Sequence, residues 1–262
     1  MNLEIKNLEY GVLRIYKKGD LELIVYDTKD PLSDEAIFIK NSDVFISIEA
    51  PLFKNNVKEI NEYVNSINVK NQYILLANHV AVSNYLENAK LITLKNTKEA
   101  LLNGEPKGLY NNFLNIFGNN INAKLREDYD IVGNKLNIKG IELNLISKGN
   151  DFNVEIPEFN AIYTHMLGHD CHSIITGLEH ANILINELNS FVEKNYDLVL
   201  TSHYIPENIL DVKTKIEYIK DIINIASNSK TKEDFINKTK EKYSNYSGLN
   251  YLDMTAGFFY KD

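Results

Sequence analysis

Apolar and polar positions alternate with period two over the first fifty residues. Val12, Arg14 and Tyr16 fall on one side and Leu13 and Ile15 on the other, and Leu21 to Tyr26, Ala36 to Lys40 and Val44 to Ile48 follow as further short strands. Gly19, Asp20, Asp27, Asp30, Pro31, Asn41 and Ser42 supply the turns between them. From Asn55 the period changes, and Val57, Ile60, Val64 and Ile67 fall at helical spacing, with Asn56 and Glu59 spaced as a capping box. A buried strand from Tyr73 to Ala77 follows. Thr97 to Leu102 and Leu109 to Phe117 then read as two short helices, the second stopped by Gly118, and Gly104 to Gly108 reads as a turn. The second half repeats the plan with strands at Lys135 to Lys139, Ile141 to Ile146, Phe152 to Ile156 and Phe159 to Thr164, the last two joined by a Pro157-Glu158 turn. A helix from Leu178 to Lys194 aligns Ala181, Leu184, Leu188 and Phe191 on one stripe, a strand from Leu198 to Thr201 ends at Ser202-His203, and helices start at Asp211 and Thr231. Strands and then helices, twice over, predict an α/β chain of two sheets packed face to face with helices outside.

With 262 residues, 44% hydrophobic content and a net charge of −8, the chain is long enough to bury a core without disulfide or structural metal. Arg14 and Arg126 are its only arginines, so a phosphate-tracking surface is not expected and nucleic acid is set aside as a partner. No 18-residue apolar stretch marks a membrane span, and Glu4, Lys6 and Glu9 break any secretory leader in the first eleven residues. A cytoplasmic protein is expected. Cys171 stands alone, which fits a reducing compartment, and a buried inert thiol is favoured over a nucleophile paired with His169 or His172.

The candidate chemistry lies in six histidines. His79 and His203 each follow an apolar strand, where α/β architectures place working residues, although a turn or capping role is the alternative for both. The run Thr164 to Ser173 holds His165, His169 and His172 with Asp170 and Cys171. On a helix its three imidazoles would share a face, whereas Gly168 favours a loop in which spacing alone does not make them converge. Imidazole with carboxylate suits zinc, iron or manganese. His180, among polar neighbours, reads as a surface residue.

The order of strands, Asn78-His79 after a buried strand, the hairpin Val154 to Thr164, the long helix and the strand leading to His203 together resemble the metallo-β-lactamase fold superfamily over about Val12 to Pro206. The resemblance implies one αββα domain of two mixed sheets over 1–262, with 207–262 as a helical tail packed on it. It also implies a metal site whose first loop, HxHxDH in the family, here reads His79-Val80-Ala81-Val82-Ser83-Asn84, so three ligand positions carry Ala81, Ser83 and Asn84. Threading the Pro-Glu hairpin onto the family's turn puts Gly149-Asn150 at a second lost ligand, His165 or Met166 at the bridging carboxylate, and Ser202-His203 at the terminal Gly-His.

Two functions follow. One is a hydrolase-like enzyme on a small-molecule substrate, with His79, His169, His172 and His203 holding a metal ion and His165 and Asp170 doing acid–base work. The other is a metal-free, catalytically silent member that binds a small molecule or a protein in the same cleft. The aromatic tail residues Tyr243, Tyr246, Tyr251, Phe258, Phe259 and Tyr260 either pack in cis or make a homodimer contact.

Overall fold

A computed structural model describes residues 2–260, so the outermost positions of the expected domain lie outside the described residues. The chain divides into two compact units, one reaching to His165 and taking in Leu200–Pro206, the other formed by Met166–Val199 and the chain from Glu207 onward. No described helix is long and apolar enough to cross a membrane.

The first unit is built on an eight-stranded sheet in sequential order: β1 (Asn2–Asn7), β2 (Val12–Lys18), β3 (Leu21–Asp27), β4 (Glu35–Lys40), β5 (Val44–Ile48), β6 (Asn71–Leu75), β7 (Lys90–Thr93) and β8 (Asp130–Ile131). Strands β1 to β5 pair antiparallel, through short turns except for the seven-residue loop 28–34 between β3 and β4. Helix α1 (Lys54–Ile67) is the crossover that lets β6 add parallel to β5, and β7 and β8 continue parallel. The central strands β4 and β5 are buried almost throughout, so both faces of the sheet are covered. On one face Ile24, Tyr26, Phe38 and Phe45 join Val57, Ile60 and Val64 of α1 in a continuous apolar cluster that also takes in α2 (Lys95–Asn103) and α3 (Glu105–Phe117) through Leu101 and Tyr110. On the other face Leu23, Val25, Ile37, Ile39 and Ile46 are fully buried. The second sheet, with β9 (Lys135–Ile138), β10 (Ile141–Ser147), β11 (Phe152–Ile156) and β12 (Ala161–Tyr163) in the same unit, supplies the buried Leu143, Leu145, Phe152 and Val154. Lys18 Nζ to the Glu158 carbonyl and Asn41 Nδ2 to the Lys139 carbonyl tie the two sheets at their rims.

The second unit holds α4 (Leu178–Lys194), α5 (Ile209–Ser227), α6 (Lys232–Lys242) and α7 (Leu249–Phe259), with β13 (Leu198–Leu200) running out of it. The stripe read from the sequence is present in α4, where Ala181, Leu188 and Phe191 are buried and Asn195 closes the helix in the left-handed region. Helix α6 is capped by Thr231, as its position predicts. Helix α5 starts earlier than expected, because Asn208 is the cap and Asp211 is the third-position partner that bonds back to it.

Two other local expectations fail for a physical reason. Gly104 to Gly108 is not a turn but the start of α3, where Pro106 sits in the first helical turn and its missing N–H leaves nothing unsatisfied. Asn56 does not cap α1. It is buried inside the first turns, where its Nδ2 donates to the Tyr26 hydroxyl and the Thr28 carbonyl, while Glu59 accepts from the same Tyr26 hydroxyl and from the Tyr10 backbone. The capping pattern is instead a buried polar bridge between helix and sheet.

Candidate metal centre

Three strand ends in the first unit carry His79, His165 and His203. Glu49 organises the first of them. It lies just past β5 with φ +63°, a left-handed conformation that costs a non-glycine residue energy unless its surroundings hold it there. Its nearly inaccessible carboxylate does so by accepting the backbone N–H groups of Ala77 at 3.0 Å, Asn78 at 2.8 Å and His79 at 2.9 Å, all in the loop leaving β6. The hydroxyl of Tyr163, the last residue of β12, donates to the same carboxylate at 3.0 Å. Burial pushes the Tyr163 phenol well above its usual pKa, so it keeps the proton it donates. With that proton committed, the 2.6 Å contact between Tyr163 and Ser202 Oγ is donated by Ser202. His165 follows Tyr163 by two residues, and its carbonyl accepts the Ser202 N–H, which fixes His203 beside it.

The three imidazoles converge. Ring centroids are 5.0 Å apart for His79 and His165, 5.1 Å for His79 and His203, and 5.0 Å for His165 and His203. One nitrogen from each lies within 4.8 Å of the others, and all three side chains are part-buried. His203 Nδ1 lies 3.1 Å from Oδ1 of the buried Asp34 carboxylate, an oxygen that accepts no hydrogen bond. His165 Nδ1 is buried without a hydrogen-bond partner. Burial lowers the pKa of His79 and drives that of His165 well below normal, with His79 and His203 adding to the latter effect. Three imidazoles, two of them disfavoured as cations by burial and one with an orphaned buried nitrogen, form a donor set that fits a transition metal ion.

The substituted loop positions have gone into packing. Ala81 and Val82 are fully buried in the apolar cluster, the Ala81 carbonyl accepts the Arg126 N–H, and the Ser83 N–H bonds the Lys124 carbonyl. Asn150 is exposed in the turn between β10 and β11.

His169 and His172 belong to the second unit. The loop leaving Met166 turns at Gly168, φ +65°, and its Gly168 and His169 N–H groups donate to the buried Glu207 carboxylate at 2.8 and 2.7 Å. His169 Nδ1 lies 3.0 Å from Glu207 Oε1 and 3.6 Å from Asp211 Oδ1, making a second His/Glu/Asp group of metal-ligating type. Every oxygen of Glu207 is already engaged, and the group sits at the N-terminus of α5, where the helix dipole opposes a cation. Its hydrogen bonds join the loop to the start of the helix. The Asp170 carbonyl accepts the Ser247 N–H, and His180 Nδ1 accepts the Thr176 N–H.

His172 is 1% exposed, lies against Tyr218 and Tyr246 with ring centroids at 5.8 and 5.7 Å, and shares a 3.0 Å hydrogen bond with the Tyr218 hydroxyl. Burial, helped by Lys215 and Lys240, pulls its pKa from 6.5 down to about 4. The folded unit therefore holds His172 neutral while the unfolded chain protonates it. Stability should be intact above pH 6.5 and fall as the pH drops toward 4, by up to about 1.4 kcal/mol per unit. Denaturant midpoints between these pH values check this, with His172→Gln expected to flatten the acid limb.

Four of the six tail aromatics pack against residues of their own unit. Tyr246 stacks on Tyr218 and Tyr243 meets it edge-on, Phe259 and Tyr260 lie against Phe235, and the Tyr260 hydroxyl reaches the Ala226 carbonyl.

Glu49, Asp34 and Glu207 escaped the sequence reading. A carboxylate directly after the apolar run Val44–Ile48 was the available signal for Glu49, whereas Asp34 and Glu207 gave none because their partners lie far along the chain.

The sequence matches no family model and no curated protein. Solved structures do match. A double mutant of the sec-alkyl sulfatase PisA1 is similar over 92% of this chain and 49% of its own, with TM-score 0.58 and 13% identity, so this chain spans about half of that sulfatase. A metallo-β-lactamase from Erythrobacter litoralis is similar over 83% of this chain and all of its own, with TM-score 0.52 and 11% identity. The chemotaxis sensor ODP from T. denticola is similar over 80% of this chain and 93% of its own, with TM-score 0.51 and 11% identity. The chain has the metallo-β-lactamase fold, with two mixed sheets and flanking helices.

Proposed function

We propose that this divergent metallo-β-lactamase-fold chain is a hydrolase-like protein acting on a small molecule at a single metal ion held by His79, His165 and His203. The observation that carries the reading is the convergence of three part-buried imidazoles from three separate strand ends on one point. Three nitrogens without a carboxylate favour zinc or iron over manganese, and three protein ligands leave a position open. When bound, such an ion supplies a Lewis acid that makes water a nucleophile at neutral pH.

The protein's own groups prepare that site. Asp34 sets a carboxylate oxygen 3.1 Å from Nδ1 of His203. Glu49 pins the backbone of His79, and Tyr163 and Ser202 lock Glu49 against the other two ligand-bearing segments. Preorganisation of this kind lets the imidazoles meet a ligand without rearrangement. Asp170, expected at the sequence level to act in acid–base chemistry, lies in the second unit and has no part in this reading.

Zinc- and iron-loaded protein, assayed on chromogenic esters, sulfate esters, phosphate esters and lactams, tests the reading. Turnover of at least one class, lost with a chelator and in His203→Ala, is expected. Stoichiometric metal without turnover of any class would leave the catalytically silent binding protein as the better account.

A further inference from the structure

Strand β1 ends the eight-stranded sheet, and every one of its residues from Asn2 to Asn7 is exposed. The other terminal strand, β8, has two residues. Long exposed edges are templates for strand pairing, which natural proteins normally blunt by shortening them. This one carries Leu3 and Ile5, 47% and 61% exposed, on the sheet face opposite Glu4 and Lys6.

Backbone geometry restricts what can pair with it. The Leu8 N–H donates to the Gly11 carbonyl across the β1–β2 turn, and antiparallel hydrogen bonding alternates from there. Glu4 and Lys6 therefore spend their backbone groups on β2, while Leu3, Ile5 and Asn7 present theirs outward. A second copy can add antiparallel about a two-fold axis only in registers that match outward-facing residues with one another. Placing the axis at Glu4 sets Glu4 against the partner's Glu4, and placing it at Lys6 sets Lys6 against the partner's Lys6. Placing it at Ile5 sets Glu4 against the partner's Lys6 and Lys6 against the partner's Glu4. That register also engages all three outward residues, Leu3 with the partner's Asn7 and Ile5 with the partner's Ile5, and joins the exposed Leu3 and Ile5 of both copies into one apolar strip.

We propose that β1 is a homodimerisation edge, in which two copies of this chain pair antiparallel with Ile5 on the two-fold axis and two Glu4–Lys6 pairs flanking it. Charge complementarity selects this register over its neighbours, each of which opposes like charges. A six-residue strand pair lies at the small end of specific interfaces, so the dimer is reversible, with a dissociation constant on the order of 10–100 µM. The inference is independent of the metal centre and stands or falls without it.

A charge swap tests the register. Sedimentation equilibrium of the full chain over about 5–500 µM should show a monomer–dimer equilibrium. Glu4→Lys and Lys6→Glu should each weaken it about tenfold or more, since each turns both symmetric pairs repulsive. The double variant Glu4→Lys/Lys6→Glu should recover affinity to within a few-fold of the parent. Each residue also has a contact within its own chain, Glu4 with Lys17 and Lys6 over the Tyr63 ring at 5.6 Å, so the double variant, which loses both contacts yet restores the two pairs, is the decisive one. Unchanged urea midpoints and metal content separate loss of dimer from loss of fold or of the centre. A monomer at the highest concentration, a dimer indifferent to both single variants, or a double variant as weak as the singles would overturn the proposal.

Discussion

Alanine at Glu49 should destabilise the first unit by about 3–5 kcal/mol, because it orphans the buried N–H groups of Ala77, Asn78 and His79 and the Tyr163 hydroxyl at once. Urea titration followed by circular dichroism reads this directly. Glutamine is the sharper variant. It keeps the shape but puts an amide N–H₂ against at least one backbone N–H, at a cost of about 1–3 kcal/mol. Because the His79 N–H is one of those donors, Glu49→Gln should also weaken metal binding at a temperature where the protein remains folded. An alanine variant as stable as the parent would show that the carboxylate does not hold the left-handed turn at residue 49 or the loop after β6.

The second large effect belongs to the imidazoles. His203→Ala removes one of three ligands and should abolish stoichiometric metal retention, whereas Asp34→Asn keeps all three and should weaken affinity less, through loss of the negative charge 3.1 Å from the His203 ring. Competition with a chromogenic chelator resolves that gradation. The fold should survive His203→Ala, since that ring is part-exposed and outside the apolar cluster, and Asp34→Asn keeps the shape of the buried side chain. Equal effects of the two variants would mean that Asp34 acts on the fold and not on the ring.

The architecture was legible because periodicity reports burial. Strands β2 to β5 alternate or run apolar according to whether one or both faces are covered, and α4 shows its stripe within the predicted bounds. Strand β1 was missed for the same reason, since its apolar residues face solvent and its pattern reports an edge, not a core. Side chains that bridge elements also escaped. Asn56 and Glu59 have the spacing of a helix cap but serve a tyrosine on the neighbouring sheet. At the centre, His79, His165 and His203 stood out through their strand-end positions, and the strand order brings them together. Within the dense run from His165 to His172, adjacency in sequence carries no shared direction once Gly168 turns the chain. His169 turns to Glu207, and His172 is buried among tyrosines.

Metal content decides the account most directly. Untagged protein, offered zinc or iron and then dialysed, should retain about one equivalent by mass spectrometric metal analysis. The His79→Ala/His165→Ala/His203→Ala variant should retain almost none, while His169→Ala keeps the parental amount. Parent protein holding less than about a tenth of an equivalent, or losing its metal only in His169→Ala, would contradict a centre built from the three strand-end histidines.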